Sequence, residues 1–153
     1  MNTKEIARNK KAFFDYEVLE TIEAGLVLSG QEVKSAKQGR ANLKGSFVSS
    51  RGQILGISNM HISKYKPAGH LPDYDPDQWR ELLLHKKQIN RLLGKMTEKG
   101  LTIVPLKMYT KGRLIKIELG VCKGKKTYNK REILKKRDTD REIQRTLKNT
   151  LHS

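Results

Sequence analysis

Two stretches of the chain place strand-like segments on both sides of a short glycine-bearing turn. Leu101 to Tyr109 and Arg113 to Val121 flank Thr110-Lys111-Gly112, and Ser46 to Ser50 and Gln53 to Ser63 flank Arg51-Gly52. Glycine takes a positive φ at little cost, so both stretches read as tight β-hairpins. Strands joined in this way pair antiparallel, and hairpins here outnumber crossovers. A small antiparallel barrel plugged by helices therefore explains the order of elements better than an alternating βαβ plan. Pro105 has no amide hydrogen and pushes its strand toward an edge or a bulge.

The remaining elements fit around these hairpins. After a basic lead over residues 1–12, Phe14 to Leu28 reads as two strand segments joined by a turn or bulge at Glu23-Ala24-Gly25. Gln31 to Gln38 has helical composition and is closed by Gly39. The segment Lys66 to Gln78 holds Pro67, Pro72 and Pro76 and is expected to be an exposed, irregular loop. A helix is expected over Trp79 to Lys99, from the spacing of Leu82, Leu83, Ile89, Leu92, Leu93 and Met96. About six strands and two to three helices result. Asn129 to Ser153 contains no Gly, Pro or aromatic residue and too few apolar positions for a packed stripe, so it is expected to be helix-capable but unfolded in isolation.

At 153 residues the chain suits one domain with tails. Lys and Arg number 32 against 16 Asp and Glu, a formal charge of +16, which points to a polyanionic partner. The excess is uneven. Lys123 to Arg137, KGKKTYNKREILKKR, sets eight cations against the single carboxylate Glu132. Charge is scattered through the first twenty residues, no apolar run is long enough to span a bilayer, and the lone Cys122 allows no disulfide framework. A cytoplasmic protein without membrane attachment is the expectation, and nucleic acid is favoured over a lipid surface.

Catalytic chemistry finds little support. Asp73-x-Asp75-x-Asp77 opens like a calcium loop, but Gln78 and Leu84 stand where glycine and a bidentate carboxylate belong. His61, His70, His85 and His152 lack metal-ligand spacing, and Cys122 lies in a strand pattern as a small core residue. No phosphate-binding glycine loop is present. No enzyme, cofactor or metal is therefore expected. Cationic side chains would supply salt-sensitive phosphate binding, and Trp79, Tyr109 and Tyr128 lie near cations where they could stack on bases.

The blocks GQEVKSAKQGRANLKGSF, RELLLHKKQI, GLTIVPLKMY and KGKKTYNKRE, with NKKAFFDYE near the amino terminus, resemble the SsrA-binding protein family, SmpB, the bacterial partner of transfer-messenger RNA. The blocks keep the family's order and cover nearly the whole chain. The resemblance implies an oligonucleotide-binding-type barrel over residues 13–128 and a basic tail over 129–153, disordered when free and helical on the ribosome. It implies ribosome rescue: the protein would accompany the charged RNA into a stalled ribosome and mimic the missing anticodon arm, while the tail probes the empty message channel. Ribosomal RNA of the decoding centre and channel would be a partner, elongation factor Tu an indirect one through the charged RNA, and the protein a monomer. A general RNA-binding or ribosomal protein without a rescue role is the alternative reading.

The same resemblance links particular residues to function. Glu23, Lys34, Asn42, Leu83, Lys116, Lys123, Gly124, Lys125 and Lys126 match positions for RNA binding. Lys116 would pair with phosphate. Glu23 would accept hydrogen bonds from ribose or hold nearby basic groups, Leu83 would support the surface, and Asn42 would belong to a turn that positions it. Tyr128, Lys130, Arg131, Leu134, Lys135 and Arg137 match the ribosome-binding tail. Asn129 replaces the usual aspartate, and Trp79-Arg80-Glu81 stands where the family commonly reads Arg-x-Arg-Lys, removing positive charge from the expected helix start.

Overall fold

A computed structural model describes residues 3–125. Backbone proximity divides the chain into Met1–Lys123 and Gly124–Ser153, and apart from Gly124 and Lys125 the description concerns the first unit. In chain order the elements are β1 (Thr3–Arg8), α1 (Lys10–Asp15), β2 (Tyr16–Leu26), α2 (Gly30–Lys37), β3 (Ala41–Asn42), β4 (Phe47–Arg51), β5 (Ile54–Ser58), β6 (His61–Ile62), a 3-10 turn (Lys66–Ala68), β7 (Arg80–Leu83), α3 (Lys86–Met96), β8 (Leu101–Lys111) and β9 (Leu114–Gly124). Seven strands form one sheet in the order β1-β8-β9-β2-β7-β5-β4, and β3 pairs with β6 separately. The sheet curls until β4, at one end of that order, packs against β8 near the other. The result is the open, barrel-like antiparallel fold that the hairpins predict.

Strand alternation decides which side chains enter the barrel. On β9, Ile115, Ile117 and Leu119 are buried, whereas Leu114, Lys116 and Glu118 point outward. Leu43, Leu55, Ile57, Met60, Ile62, Ile103 and Met108 join the inward set, and α3 inserts the fully buried Leu92. Burying one such side chain contributes about 2 kcal/mol, so the helix is held by packing more than by its own propensity.

Both expected hairpins form, with Gly52 at φ 63° and Gly112 at φ 62°, but the strand expected from Gln53 to Ser63 ends at Ser58, where Asn59 takes φ 62°, and His61–Ile62 leave it to pair with β3. The ladder shifts register between Pro105 and Lys107, which accommodates the missing amide hydrogen inside β8 rather than at an edge. Helix α2 carries a capping box: Ser29 Oγ accepts from the Glu32 amide, and Glu32 Oε1 accepts from the Ser29 amide at 3.0 Å.

Four further expectations are corrected. The basic lead is structured: β1 adds to β8, from Thr3 opposite Lys111 to Arg8 opposite Lys107. The strand expected from Phe14 starts only at Tyr16, because Phe14 and Asp15 belong to α1. Buried Asn9 caps that helix by accepting from the Ala12 amide, while its Nδ2 donates to the carbonyls of Leu43 and Pro105. Strand β2 runs unbroken through Glu23-Ala24-Gly25, with Gly25 in the ladder opposite Leu83. The helix expected from Trp79 begins only at Lys86, because Arg80 and Leu82 are buried on alternate positions of a strand that pairs with both β2 and β5.

The segment between β6 and β7 is irregular, as expected, but it is anchored. Arg80 and Glu32 are each 2 % exposed and pair at 2.6 Å through Nε and Oε2. Arg80 also donates to the carbonyls of Met60, Pro76 and Gln78 and to the Tyr74 hydroxyl. Tyr74 and Gln78 in turn donate to Glu32 Oε2. Burial pushes the Glu32 carboxyl up, but the Ser29 amide and the Arg80 guanidinium more than offset this and hold it below the ordinary range. Arg80 is therefore a structural cation, not part of an exposed basic helix start.

Candidate nucleic-acid interface

Residues far apart in sequence meet on the outer face of the sheet. Strand β2 presents Glu23, β7 presents Leu83, and β9 presents Lys116, which lies opposite Tyr109 of β8. The register places Gly25 against Leu83, and no side chain separates them. A Cβ on Gly25 would lie 3.2 Å from Leu83 Cβ and 3.7 Å from Lys116 Nζ, so the bare backbone lets both approach. An open groove of about 650 Å³ results, with His85 and Gln88 at the start of α3 completing its wall. Leu83, expected to support the surface, is itself 56 % exposed on it.

Glu23 is occupied by protein groups. Its Oε2 accepts from the Tyr109 hydroxyl, and its Oε1 pairs with Lys111 Nζ at 3.2 Å. The Tyr109 hydrogen bond draws the carboxyl down most strongly, desolvation opposes it, and Lys111 and Lys116 lower it further, leaving Glu23 below the usual carboxylate range. Burial first, and the Glu23 carboxylate second, push the Tyr109 phenol above its ordinary value. At neutral pH the pair is therefore a carboxylate accepting from a protonated tyrosine. Of the two roles expected for Glu23, this geometry matches the holding of basic groups. Lys111 is consumed in that pairing, whereas Lys116 makes no ion pair among the described residues and projects its ammonium into the groove.

The other expected site residues do not join this cluster. Lys34 stands on α2 with its ammonium 5.7 Å from the Tyr65 ring centroid. Asn42 ends β3 and its Oδ1 accepts from the Lys44 amide at 2.9 Å, a local turn of the kind expected. Lys123 and Gly124 end β9, with Lys125 just beyond. Seven residues at the antiparallel rise put Lys123 about 24 Å from Lys116 along the strand. Lys126, Tyr128, Lys130, Arg131, Leu134, Lys135 and Arg137 lie outside the described residues. Sequence reasoning noticed Tyr109 only as a stacking ring and missed Lys111, Gly25, His85 and Gln88. Counting register outward from Gly112 would have placed Tyr109 beside Lys116.

Among the described residues no group of three or more His, Cys, Asp or Glu is arranged to hold a metal, and no helix is long and apolar enough to cross a membrane. His61 Nδ1 instead meets Asp77 Oδ1 at 2.9 Å. Cys122 is buried, and desolvation pushes its thiol up to about 11, which makes it a core residue rather than a nucleophile.

Comparison with known proteins agrees with this architecture. The family model described as SmpB protein matches residues 6–149. SsrA-binding protein from Carboxydothermus hydrogenoformans is 52% identical over 145 residues, covering 95% of this chain and 97% of the relative. The SsrA-binding protein of Enterococcus faecalis is 51% identical over 146 residues, covering 95% and 94%. A solved structure described as "tmRNA-SmpB: a journey to the center of the bacterial ribosome" superposes with a TM-score of 0.66 at 45% identity, covering 78% of this chain and 84% of that one. With the family model spanning most of its length and relatives at half identity end to end, the chain belongs to the SmpB protein family.

Proposed function

We propose that this protein binds transfer-messenger RNA and brings it to stalled ribosomes for trans-translation. The observation that carries this reading is the convergence of Glu23, Leu83 and Lys116, from three separate strands, on one groove of a strongly basic chain. The relatives bear the name of SsrA-binding protein, and the structural neighbour is described in terms of transfer-messenger RNA, SmpB and the ribosome.

In this reading Lys116 pairs with a backbone phosphate and releases condensed counterions. Leu83 offers an apolar contact to a ribose or base edge, and Glu23 holds Tyr109 and Lys111 in place beside them. The protein makes and breaks no bond: it recognises folded RNA by contour, in place of an anticodon arm. The basic segment from Tyr128 onward, with Lys130, Arg131, Leu134, Lys135 and Arg137, probes the vacant message channel, where its cations meet phosphates. Elongation factor Tu takes part through the charged RNA, the protein acts as a monomer, and its compartment is the cytoplasm.

Isolation of the tagged protein from bacterial cells under native conditions, followed by sequencing of bound RNA, tests the reading. A single dominant species of transfer-messenger RNA is the expected result. Recovery of bulk transfer and ribosomal RNA in proportion to their abundance would overturn it.

A further inference from the structure

We propose that Arg51 and Trp79 form a second RNA contact, a platform on which one unpaired base stacks. The inference rests on the RNA-binding reading and extends it to a region of the sheet outside the groove. Trp79 packs against the bare backbone of Gly56: a Cβ there would collide with the indole. Its Nε1 donates to Ser49 Oγ at 3.0 Å, and Ser49 Oγ meets Ser58 Oγ at 2.7 Å, which fixes the ring in its plane. The Arg51 guanidinium lies over the ring, with Cζ 4.3 Å from its centroid.

Arg51 ends β4 at the hairpin tip and is exposed, and its guanidinium makes no hydrogen bond or ion pair among the described residues. A guanidinium laid on an indole has paid its ordering entropy before any ligand arrives, and its outer plane suits a nucleobase. Half-exposed Ile54, opposite Arg51 in register, extends the apolar margin. Glu81 lies opposite Gly56 on the same face, and its carboxylate opposes a phosphate there while leaving a neutral base unaffected.

The platform lies on the same outer face as the groove. Gly56 on β5 pairs with Glu81 and Gly25 on β2 with Leu83, so the two places are two strand spacings apart across β7 and two residues apart along it, about 12 Å. An RNA seated against Lys116 and Leu83 can therefore reach Arg51 with an adjacent unpaired nucleotide.

Trp79 is the only tryptophan in the sequence, so its fluorescence reports on this place alone. The full chain is titrated with a transcript of the transfer-RNA-like domain of transfer-messenger RNA, with binding followed in parallel by gel shift. Quenching that saturates with binding is expected. Arg51→Ala and Arg51→Lys should both lose most of the quench and weaken binding roughly tenfold, because lysine restores charge but not the stacking plane. Circular dichroism checks that both variants keep the parent fold.

Tight binding with unchanged fluorescence and unchanged affinity in Arg51→Ala would overturn the platform and leave the functional reading standing. Full recovery by Arg51→Lys would overturn stacking in favour of a point charge on phosphate. If the parent chain does not bind the transcript, the functional reading fails and the platform fails with it.

Discussion

Glu32→Gln keeps the shape of the side chain that faces Arg80 and removes its charge, leaving a guanidinium buried among neutral acceptors. Arg80 has a side-chain exposure of 1 %, so solvent cannot replace the lost carboxylate. Breaking a buried ion pair from one side costs about 3–5 kcal/mol. The carbonyls of Met60, Pro76 and Gln78 still accept from Arg80, and the new amide oxygen retains a neutral hydrogen bond, which places the cost near the lower end, about 3 kcal/mol. At about 2–4 °C per kcal/mol for a chain of this length, the melting temperature should fall by roughly 6–12 °C.

Thermal melts by circular dichroism at neutral pH measure this shift. The folded carboxyl of Glu32 sits below its unfolded value, so its contribution is complete above the ordinary carboxylate range and is lost as pH falls through the lower folded value. Acidification should therefore lower the melting temperature of the parent more steeply than that of Glu32→Gln. RNA affinity well below the melting temperature should be unchanged, because neither residue reaches the outer surface. A fall of less than about 2 °C, or a selective loss of RNA binding with stability intact, would refute the assignment of Arg80 to the scaffold.

Lys116→Ala should weaken RNA binding and reduce the slope of log affinity against log salt by about 0.7–0.9, the signature of one phosphate contact; an unchanged slope in a filter-binding titration would remove Lys116 from the interface. Truncation after Tyr128 should leave RNA affinity within about twofold, a change of roughly 0.4 kcal/mol, while abolishing peptide tagging in a reconstituted translation assay. Loss of RNA binding in that truncation would refute the division of labour. Cys122 should resist a thiol reagent at pH 8 in the native protein and react readily in denaturant, and fast native labelling would contradict its burial.

The hairpins were legible in the sequence because their glycine turns and alternation are local signals. Strand β7 was not, for two physical reasons. Leu82 and Leu83 are adjacent and fit the helical spacing of the leucines after them, whereas on the strand one faces in and the other out; and Arg80 is a residue type that normally seeks solvent, so nothing local announced that it would be buried against Glu32 of a distant helix. Strand β1 escaped because its side chains are mostly exposed and its pairing with β8 is made by the backbone, which leaves no hydrophobic pattern to read. At the groove, family resemblance named Glu23, Leu83 and Lys116, but the tying of Glu23 to Tyr109 and Lys111 depends on cross-strand register. The glycine of the EAG segment looked like a turn and proved to be the bare backbone that lets Leu83 and Lys116 draw near.

The most direct measurement is a competition experiment at physiological salt, in which the labelled transfer-RNA-like domain of transfer-messenger RNA is displaced from the full chain by unlabelled transfer RNA. The groove reading predicts that transfer RNA competes at least about tenfold more weakly, a difference near 1.4 kcal/mol, and that combined Leu83→Ala and Lys116→Ala substitutions erase the preference. Equal competition by the two RNAs against the parent chain would contradict it.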